Sequence, residues 1–166
     1  MNGNLYILDT SVFIQAARAY YALDIVPGFW EALLKHAKDG SILSIDRVKD
    51  EIDKGEDALK EWANNYFHHY FRPTNDDHIL KAYGQIMQWA HSQTQYTHAA
   101  KADFARYNNA DAWVVAYAKA HTCIVVTQEQ SKPQAKSRIF VPDVCHAFSV
   151  LWIDTFKMMR ELGIKL

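Results

Sequence analysis

Residues 5–14 read LYILDTSVFI, an apolar run interrupted by Asp9, Thr10 and Ser11. Four consecutive apolar residues bounded by polar ones are typical of a buried strand, and helical spacing resumes after Ser11. Asp9 therefore stands at the carboxyl end of the first predicted strand. Because ligands of open α/β sheets bind outside the carboxyl ends of the strands, this position favours a role in chemistry over one in packing.

A second apolar run ends in the same way. Residues 123–126 are apolar and lead into Thr127, Gln128 and Glu129. Residues 41–45 give another short strand, and helical patterns separate the three runs. Parallel neighbours need long crossovers, so this alternation favours a parallel sheet. The expected fold is α/β, a three-layer α/β/α sandwich with a small central, mostly parallel sheet.

The remaining elements follow from hydrophobic periodicity and from capping residues. The spacing predicts helices over residues 12–20, 28–39, 47–54, 57–65, 79–90, 110–121 and 154–162. A further short strand is predicted at residues 138–141, and Asn108 or Asn109 is expected to cap the helix that begins at residue 110. No repeat, low-complexity segment or linker interrupts residues 1–166, which are therefore expected to form one domain.

Composition limits the class of protein. Of the 166 residues, 49% are hydrophobic and 22% are charged, which is typical of a folded globular chain. The net charge of −1 supplies no broad basic field, so a nucleic acid would have to be held by a local patch. The longest apolar run, residues 112–118, is too short to cross a bilayer, and no signal-peptide pattern is visible. Cys123 and Cys145 lack disulfide or zinc spacing and are interpreted as core thiols of a cytoplasmic protein.

Two more acids lie on helices that are predicted to pack against the sheet. Glu51 follows Val48 by three positions, so both residues lie on the inward side of their helix. Asp111 is in the first turn of a very apolar helix, where a carboxylate that only complements the helix dipole contributes about 0.3–1 kcal/mol. Position alone leaves this structural role and a chemical role equally open for Asp111.

Four segments, taken together and in this order, resemble the PIN-domain nucleases. They are ILDTSVFI at residues 7–14, VKDEI at 48–52, NADAWVVAYA at 109–118 and VVTQE at 125–129. The tail IFVPDVC, residues 139–145, with its Pro-Asp-Val-Cys element, is similar to the closing strand of a little-characterised PIN-like branch. The resemblance spans nearly the whole chain and has one departure. The family commonly has Asp two residues after the Thr, where this chain has Glu129, and Asp143 is the alternative fourth acid.

The resemblance implies a catalytic acidic site formed by Asp9, Glu51, Asp111 and Glu129. Carboxylates that converge repel one another, and a divalent cation is their natural neutraliser. Oxygen-only ligands favour Mg²⁺ or Mn²⁺ over zinc, as one ion or as two. Asp9 and Asp111 are assigned as the primary metal ligands. Glu51 is assigned as a ligand or as the holder of a coordinated water, and Glu129 as the fourth acid.

Three hydroxyl side chains lie next to these acids in the sequence. Thr10, Ser11 and Thr127 are expected to orient the carboxylates or the scissile phosphate. Helix capping and strand-end turns explain Thr10 and Ser11 equally well.

Cations and aromatic side chains outside the acidic set are candidates for contact with RNA. The cations follow Glu129 in a segment without acids and are Lys132, Lys136 and Arg138. They either contact the RNA backbone or lie in a solvated loop, and the sequence leaves both roles open. The aromatic residues Tyr66, Phe67, Tyr70 and Phe71 could stack on bases, but core packing is favoured for them.

The activity that the resemblance implies is hydrolysis of phosphodiester bonds in single-stranded or structured RNA by an Mg²⁺- or Mn²⁺-dependent endoribonuclease. It also implies a toxin role in a toxin–antitoxin pair, with a small antitoxin protein as partner, and homodimer formation. The alternative is a catalytically degenerate PIN-like module that binds RNA or protein without cleaving. Glu129 and the low net charge favour that alternative. No association with membranes is expected.

Overall fold

A computed structural model describes residues 3–166 and has a parallel sheet at its centre. The strands are Tyr6–Leu8 (β1), Ile42–Ile45 (β2), Phe71–Arg72 (β3), Ile124–Val126 (β4) and Trp152–Ile153 (β5). They lie in the order β3-β2-β1-β4-β5, and each neighbouring pair is parallel. The predicted α/β architecture with a parallel sheet is confirmed.

Helices connect successive strands, as parallel pairing requires. The α-helices are Thr10–Gln15 (α1), Pro27–Lys38 (α2), Asp46–Asp53 (α3), Ala58–Trp62 (α4), Asp77–Ser92 (α5), His98–Ala105 (α6), Asp111–His121 (α7), Val141–Ala147 (α8) and Thr155–Leu162 (α9). Two π-helical segments, Ala16–Tyr20 and Ala63–Phe67, extend α1 and α4, and a 3₁₀ turn covers His68–Tyr70.

The core is centred on β1 and α7. Each residue of β1 has 0% of its surface exposed, because neighbouring strands cover both of its edges. Residues 112–118 of α7 are also buried, and this helix packs against α5, where Trp113 stacks on Tyr83 with ring centroids 3.8 Å apart. The Tyr6 hydroxyl donates to Glu161 at 2.7 Å and joins the central strand to α9.

The strand order reverses direction between β1 and β4, which makes this boundary the switch point of the sheet. From β1 the chain proceeds outward to β2 and β3, and it returns to the other side of β1 to form β4 and β5. The Asp9 amide donates to the Val126 carbonyl at 2.9 Å, so the two strand ends stay paired one residue beyond β1. A crevice at the carboxyl ends of β1 and β4 is therefore the expected place for a ligand.

The C-terminal part of the sheet differs from the sequence-based prediction. Two predictions of a strand are wrong here, one at residues 138–141 and one within residues 139–145. Val141–Ala147 forms the helix α8 instead. Pro142 lies in the first turn of α8, where its missing N–H leaves no helical hydrogen bond unmade. The last strand is β5, which the sequence analysis does not predict, and the same holds for β3.

Three smaller predictions concern packing and the membrane. Phe67 and Phe71 are buried with ring centroids 5.6 and 6.0 Å from that of Phe13, so core packing is confirmed for both. Tyr70 is half-buried against the core, whereas core packing is wrong for Tyr66, which is 61% exposed. Cys123 and Cys145 are buried free thiols, as predicted. Within residues 3–166, no helix is both long enough and apolar enough to span a membrane.

Candidate metal centre

Three acids that are distant in the sequence meet at the switch point. Asp9 follows β1, Asp111 is the first residue of α7, and Glu129 lies three residues beyond β4. Each contributes a carboxylate oxygen, and the three oxygens all lie within 4.8 Å of one another. This arrangement could hold a metal ion, as the sequence analysis anticipates for these residues.

The Asp9 carboxylate is fixed by three hydrogen bonds and is only 2% exposed. Its Oδ1 accepts from the Thr10 amide at 2.7 Å, because Asp9 is the N-cap of α1 with extended backbone angles. Its Oδ2 accepts from the hydroxyls of Thr127 at 2.8 Å and Ser11 at 3.0 Å. Burial and these bonds leave the carboxylate a single orientation.

The hydroxyls of Thr127 and Ser11 tie the ends of β1 and β4 together. Thr127 is fully buried, and its Oγ1 accepts from the Glu129 amide at 3.1 Å while it donates to Asp9. The Ser11 hydroxyl accepts from the Gln128 amide at 3.0 Å. The predicted contact of these hydroxyls with a carboxylate is therefore present, and it fixes the turn that carries Glu129.

Glu51 joins the site from α3 but lies outside the group of three acids that could share one ion. Its Oε1 accepts from the Thr10 hydroxyl at 2.5 Å, and its Oε2 accepts from the Ala110 amide at 3.4 Å. Thr10 thus orients Glu51 through its side chain and Asp9 through its backbone. Glu51 bridges the start of α1 and the residue preceding α7.

The start of α7 is positioned by Asn109. Its Oδ1 accepts from the Asp111 amide at 3.0 Å, and its Nδ2 donates to the Asp103 carbonyl at 3.0 Å. The prediction that Asn108 or Asn109 is the N-cap is wrong by one position, since Ala110 is the N-cap and its side chain makes no capping bond. The bond from the Asp111 amide to Asn109 still fixes the first turn of α7, which carries the Asp111 side chain.

Arg138 is drawn into the acidic site from the loop that follows Glu129. Its guanidinium donates to the Glu129 carboxylate and lies 4.0 Å from Asp111 Oδ2. The other Glu129 oxygen accepts from the Val141 amide at 2.8 Å. The sequence leaves open whether Arg138 contacts the RNA backbone or lies in a solvated loop, and it does not predict the pairing with Glu129 that the structure has.

The other residues of the basic loop lie outside the acidic site. Lys132 is exposed, with its Nζ 4.9 Å from the centroid of the Phe140 ring, and Lys136 is exposed as well. The Asp143 carboxylate accepts from the Ser131 hydroxyl at 2.6 Å and from the Lys132 amide at 2.9 Å. Asp143 is absent from the group of acids that could share an ion, so the geometry favours Glu129 as the additional acid.

The four acids have raised pKa values. Burial, followed by the charge of Glu129, raises the pKa of Asp9 to about 6. Burial and then the charges of the other acids raise the pKa of Asp111 well above its ordinary value, against a smaller opposing effect of Arg138. Burial is also the main reason why the pKa values of Glu51 and Glu129 are raised. Each shift means that ionisation of these carboxyls is costly in the folded protein.

The donor set fits a divalent cation of the oxygen-preferring kind. The acids line a cleft of about 240 Å³, together with Asn109, Arg106 and Arg138. Arg138 offsets only part of their charge, and burial, followed by the repulsion that is left, keeps the pKa values of Asp111 and Glu129 raised. A divalent ion would relieve this repulsion through oxygen ligands alone, without histidine or thiolate.

Comparison with solved structures identifies the fold. The chain is similar to VapBC2 from Rickettsia felis, crystallised bound to a DNA fragment from its promoter, with a TM-score of 0.53, 14% identity and coverage of 90% of this chain and 98% of that one. It is also similar to FitAcB from Neisseria gonorrhoeae, with a TM-score of 0.53, 16% identity and coverage of 90% and 96%. At such low identity the likeness shows the fold, and the predicted PIN-like α/β sandwich is confirmed.

Comparison of sequences gives the family. No curated protein matches the chain. The family profile described as "Domain of unknown function (DUF4411)" matches residues 6–166, nearly the full length. The chain therefore belongs to the DUF4411 family.

Proposed function

We propose that this protein is a metal-dependent ribonuclease that hydrolyses phosphodiester bonds of single-stranded or structured RNA. The observation that carries the proposal is the convergence of Asp9, Asp111 and Glu129, whose carboxylate oxygens lie within 4.8 Å of one another at the switch point of the sheet. The resemblance of four sequence segments to PIN-domain nucleases supports the same conclusion.

Asp9, Asp111 and Glu129 would hold Mg²⁺ or Mn²⁺, and Glu51 lies beside them. An ion held by these residues would supply Lewis acidity, both to activate a water and to stabilise the charge that develops on a phosphodiester. The hydroxyls of Thr127 and Ser11 keep the Asp9 carboxylate in one orientation, so it is ready to bind without rearrangement.

Two further side chains act on the substrate. Glu51 Oε2 has only a long bond of 3.4 Å to the Ala110 amide, and burial raises the pKa of Glu51. It is therefore suited to take a proton from a water in the cleft. Arg138 is suited to bind the phosphate in the cleft, because a guanidinium forms paired hydrogen bonds with phosphate oxygens. Lys132 and Lys136 lie on the same loop and are proposed to contact the RNA backbone farther from the cleft.

The direct test is cleavage of labelled single-stranded and structured RNAs with Mg²⁺ or Mn²⁺ and with EDTA. The parent is expected to cleave only with the ion, and the Asp9→Asn and Asp111→Asn variants are expected to be inactive. Asp143→Asn is the matched control, since Asp143 is a nearby acid outside the cluster. Cleavage that survives in both cluster variants, or that is lost equally in the control, would contradict the proposal.

A toxin role is proposed as the biological setting of this activity. The PIN-domain resemblance and the structural likeness to VapBC2 and FitAcB support it. A small antitoxin protein would then cover the acidic cleft, and the nuclease would form a homodimer. Expression of the parent is expected to arrest growth, and co-expression of a small protein from the adjacent gene is expected to restore it. Equal growth of cells that express the parent and the Asp111→Asn variant would contradict a toxin role.

A second candidate is a PIN-like module that binds RNA without cleaving it. The contact of Arg138 with Glu129 favours this second candidate, because the guanidinium already neutralises part of the acidic cluster that a metal ion would otherwise neutralise. The same cleavage assay separates the two candidates. RNA binding by the parent without cleavage in either metal supports the module, and metal-dependent cleavage supports the nuclease.

A further inference from the structure

A second pocket adjoins the acidic cleft. It has a volume of about 590 Å³ and shares Glu129 and Arg138 with the cleft. Its walls come from the end of the π-helical extension of α1, the turn after β4, strand β5 and the start of α9. A volume in this range accommodates a small organic group, and a ligand that enters it would lie next to the acids.

The pocket is lined by aromatic side chains that are partly exposed and not buried in the core. Trp152 is 36% exposed and lies in this pocket, and no other aromatic ring stacks on it among residues 3–166. Tyr20 is 51% exposed and meets Phe156 edge to face at 5.5 Å. Exposed ring faces of this kind stack on nucleobases in proteins that bind single-stranded nucleic acids.

A polar group with a fixed orientation lies among these rings. The Gln128 Oε1 accepts from the Thr155 amide at 3.0 Å, and the Gln128 amide donates to the Ser11 hydroxyl. Because the Thr155 N–H can only donate, the side-chain oxygen of Gln128 must face it. The Nε2 group has no acceptor among the described residues, and it is therefore available to donate to a ligand.

The charges in the pocket offset one another. Lys132 and Arg138 lie against Phe140, with cation-to-centroid distances of 4.9 and 4.8 Å. Glu129 and Asp154 are the acids of the same pocket, and Glu129 pairs with Arg138. Two positive and two negative side chains favour an uncharged aromatic ligand over an isolated phosphate.

We infer that this pocket binds an unpaired nucleobase of the RNA strand whose phosphodiester lies in the acidic cleft. The base stacks on Trp152, and the Gln128 Nε2 donates to an acceptor on the base edge. The inference rests on the proposed function for the neighbouring cleft. It assigns part of the choice of cleavage position to Gln128 and Trp152, which contribute no ligand to the metal.

The test is binding of a short fluorescent single-stranded RNA in EDTA, measured by anisotropy with the parent and with Trp152→Ala. Loss of one stacked base is expected to weaken binding about 5- to 150-fold. Trp152→Phe keeps a ring and is expected to bind close to the parent. The matched control is Leu151→Ala, which removes an apolar side chain that is 70% exposed and lies outside the pocket.

A scan with abasic nucleotides shows whether a base is what the pocket holds. One abasic position is expected to weaken binding to the parent and to cause no further loss in Trp152→Ala. Gln128→Ala is expected to reduce the difference among the four bases at that position. Unchanged affinity of Trp152→Ala, absence of RNA binding by the parent, or abasic losses that are equal in both proteins would overturn the inference.

Cleavage of the same RNA in Mn²⁺ is measured separately, so the two proposals fail in different ways. If the parent cleaves RNA but Trp152→Ala binds RNA as tightly as the parent, the nuclease proposal stands and the base-pocket proposal is wrong. If the expected abasic pattern is found but no cleavage occurs, the base-pocket proposal stands and the nuclease proposal is wrong.

Discussion

The guanidinium of Arg138 donates to the carboxylate of Glu129, and it lies 4.0 Å from Asp111 Oδ2. Arg138 partly opposes the burial that raises the pKa values of both acids. A divalent cation bound by this cluster would need the same carboxylate oxygens. Arg138 and such an ion would therefore compete for one group of ligands.

Replacing Arg138 should make the protein more dependent on metal. Arg138→Ala is expected to lower the free energy of unfolding of the metal-free protein by about 1 kcal/mol at neutral pH, since it removes a charge-assisted hydrogen bond. The rise in melting temperature on addition of Mn²⁺ is expected to be larger than in the parent. Scanning calorimetry measures both effects. Lys136→Ala, which removes an exposed cation of the same loop, serves as the control and should behave like the parent.

Neutralising Asp111 should stabilise the metal-free fold while it removes cleavage. Helix-dipole stabilisation of an ionised Asp111 is about 0.3–1 kcal/mol, but its raised pKa shows that repulsion and burial outweigh this gain. Asp111→Asn is expected to raise the melting temperature in EDTA by about 2–8 °C. A lower melting temperature for Asp111→Asn than for the parent in EDTA would show that the ionised Asp111 does not destabilise the folded protein. Asp143→Asn should leave the melting temperature unchanged or slightly lower.

The free energy of unfolding of the metal-free protein should depend on pH as expected for a carboxyl group whose pKa is raised by folding. Asp9 has a folded-state pKa of about 6 against an ordinary value of 3.8, so the folded state takes up its proton first as the pH falls. The free energy of unfolding therefore increases from about pH 7 down to about pH 4 through this group. The difference between the parent and Asp9→Asn, measured by denaturant titration across this range, isolates the contribution. A difference that stays constant across the range would contradict it.

Binding of the ion should have the opposite pH dependence. Carboxylate ligands must lose their protons to bind, so metal-induced stabilisation is expected to shrink as the pH falls below about 6. The shift in melting temperature on adding Mg²⁺ near neutral pH and in mild acid measures this. An equal or larger shift in acid would argue against a site made of these acids.

The buried hydroxyl of Thr127 should matter for metal affinity more than for the fold. Thr127→Val keeps the shape of the side chain but removes the bonds to Asp9 and to the Glu129 amide. We expect a loss of about 10- to 100-fold in Mn²⁺ affinity and a cost of about 1–3 kcal/mol in stability. Titration calorimetry gives the affinity. Thr127→Ser restores the hydroxyl and should recover most of it, whereas equal affinities for Val and Ser would rule out this role.

The convergence of the acids could be predicted from where the strands end. Asp9 and Glu129 each follow an apolar run, and parallel strands bring their carboxyl ends to one edge of a sheet. Asp111 could be placed because Asn109 and the apolar run after it mark the start of a helix. Local patterns and one rule of topology were enough for Asp9 and Glu129, whereas Asp111 was assigned to the acidic site through the resemblance to PIN-domain nucleases. The structure confirms that the three acids lie close together.

The strands β3 and β5 were not predicted, because strands this short show no periodic pattern in the sequence. β3 and β5 have two residues each, too few to show the alternation that identifies a strand. The apolar residues 139–141 resemble a buried strand, but Ile139 and Val141 are buried at the entry to α8 instead. The apolar character of these residues corresponds to their burial, but it does not distinguish a strand from the entry to a helix.

The position of Arg138 depends on the path of a loop, which its composition does not reveal. The loop turns back because the Val141 amide donates to Glu129, a bond between residues separated by twelve positions. A basic segment without acids looks the same in sequence whether it reaches solvent, RNA or a neighbouring carboxylate. Only the tertiary structure distinguishes these outcomes.

The bond between Tyr6 and Glu161 joins residues that are 155 positions apart in the sequence. During synthesis, β1 must wait for residues 124–126 before it acquires its second neighbour, and for residue 161 before this bond forms. A nascent chain that ends before residues 124–129 therefore lacks both the second neighbour of β1 and Glu129, and its acidic cleft is not yet assembled.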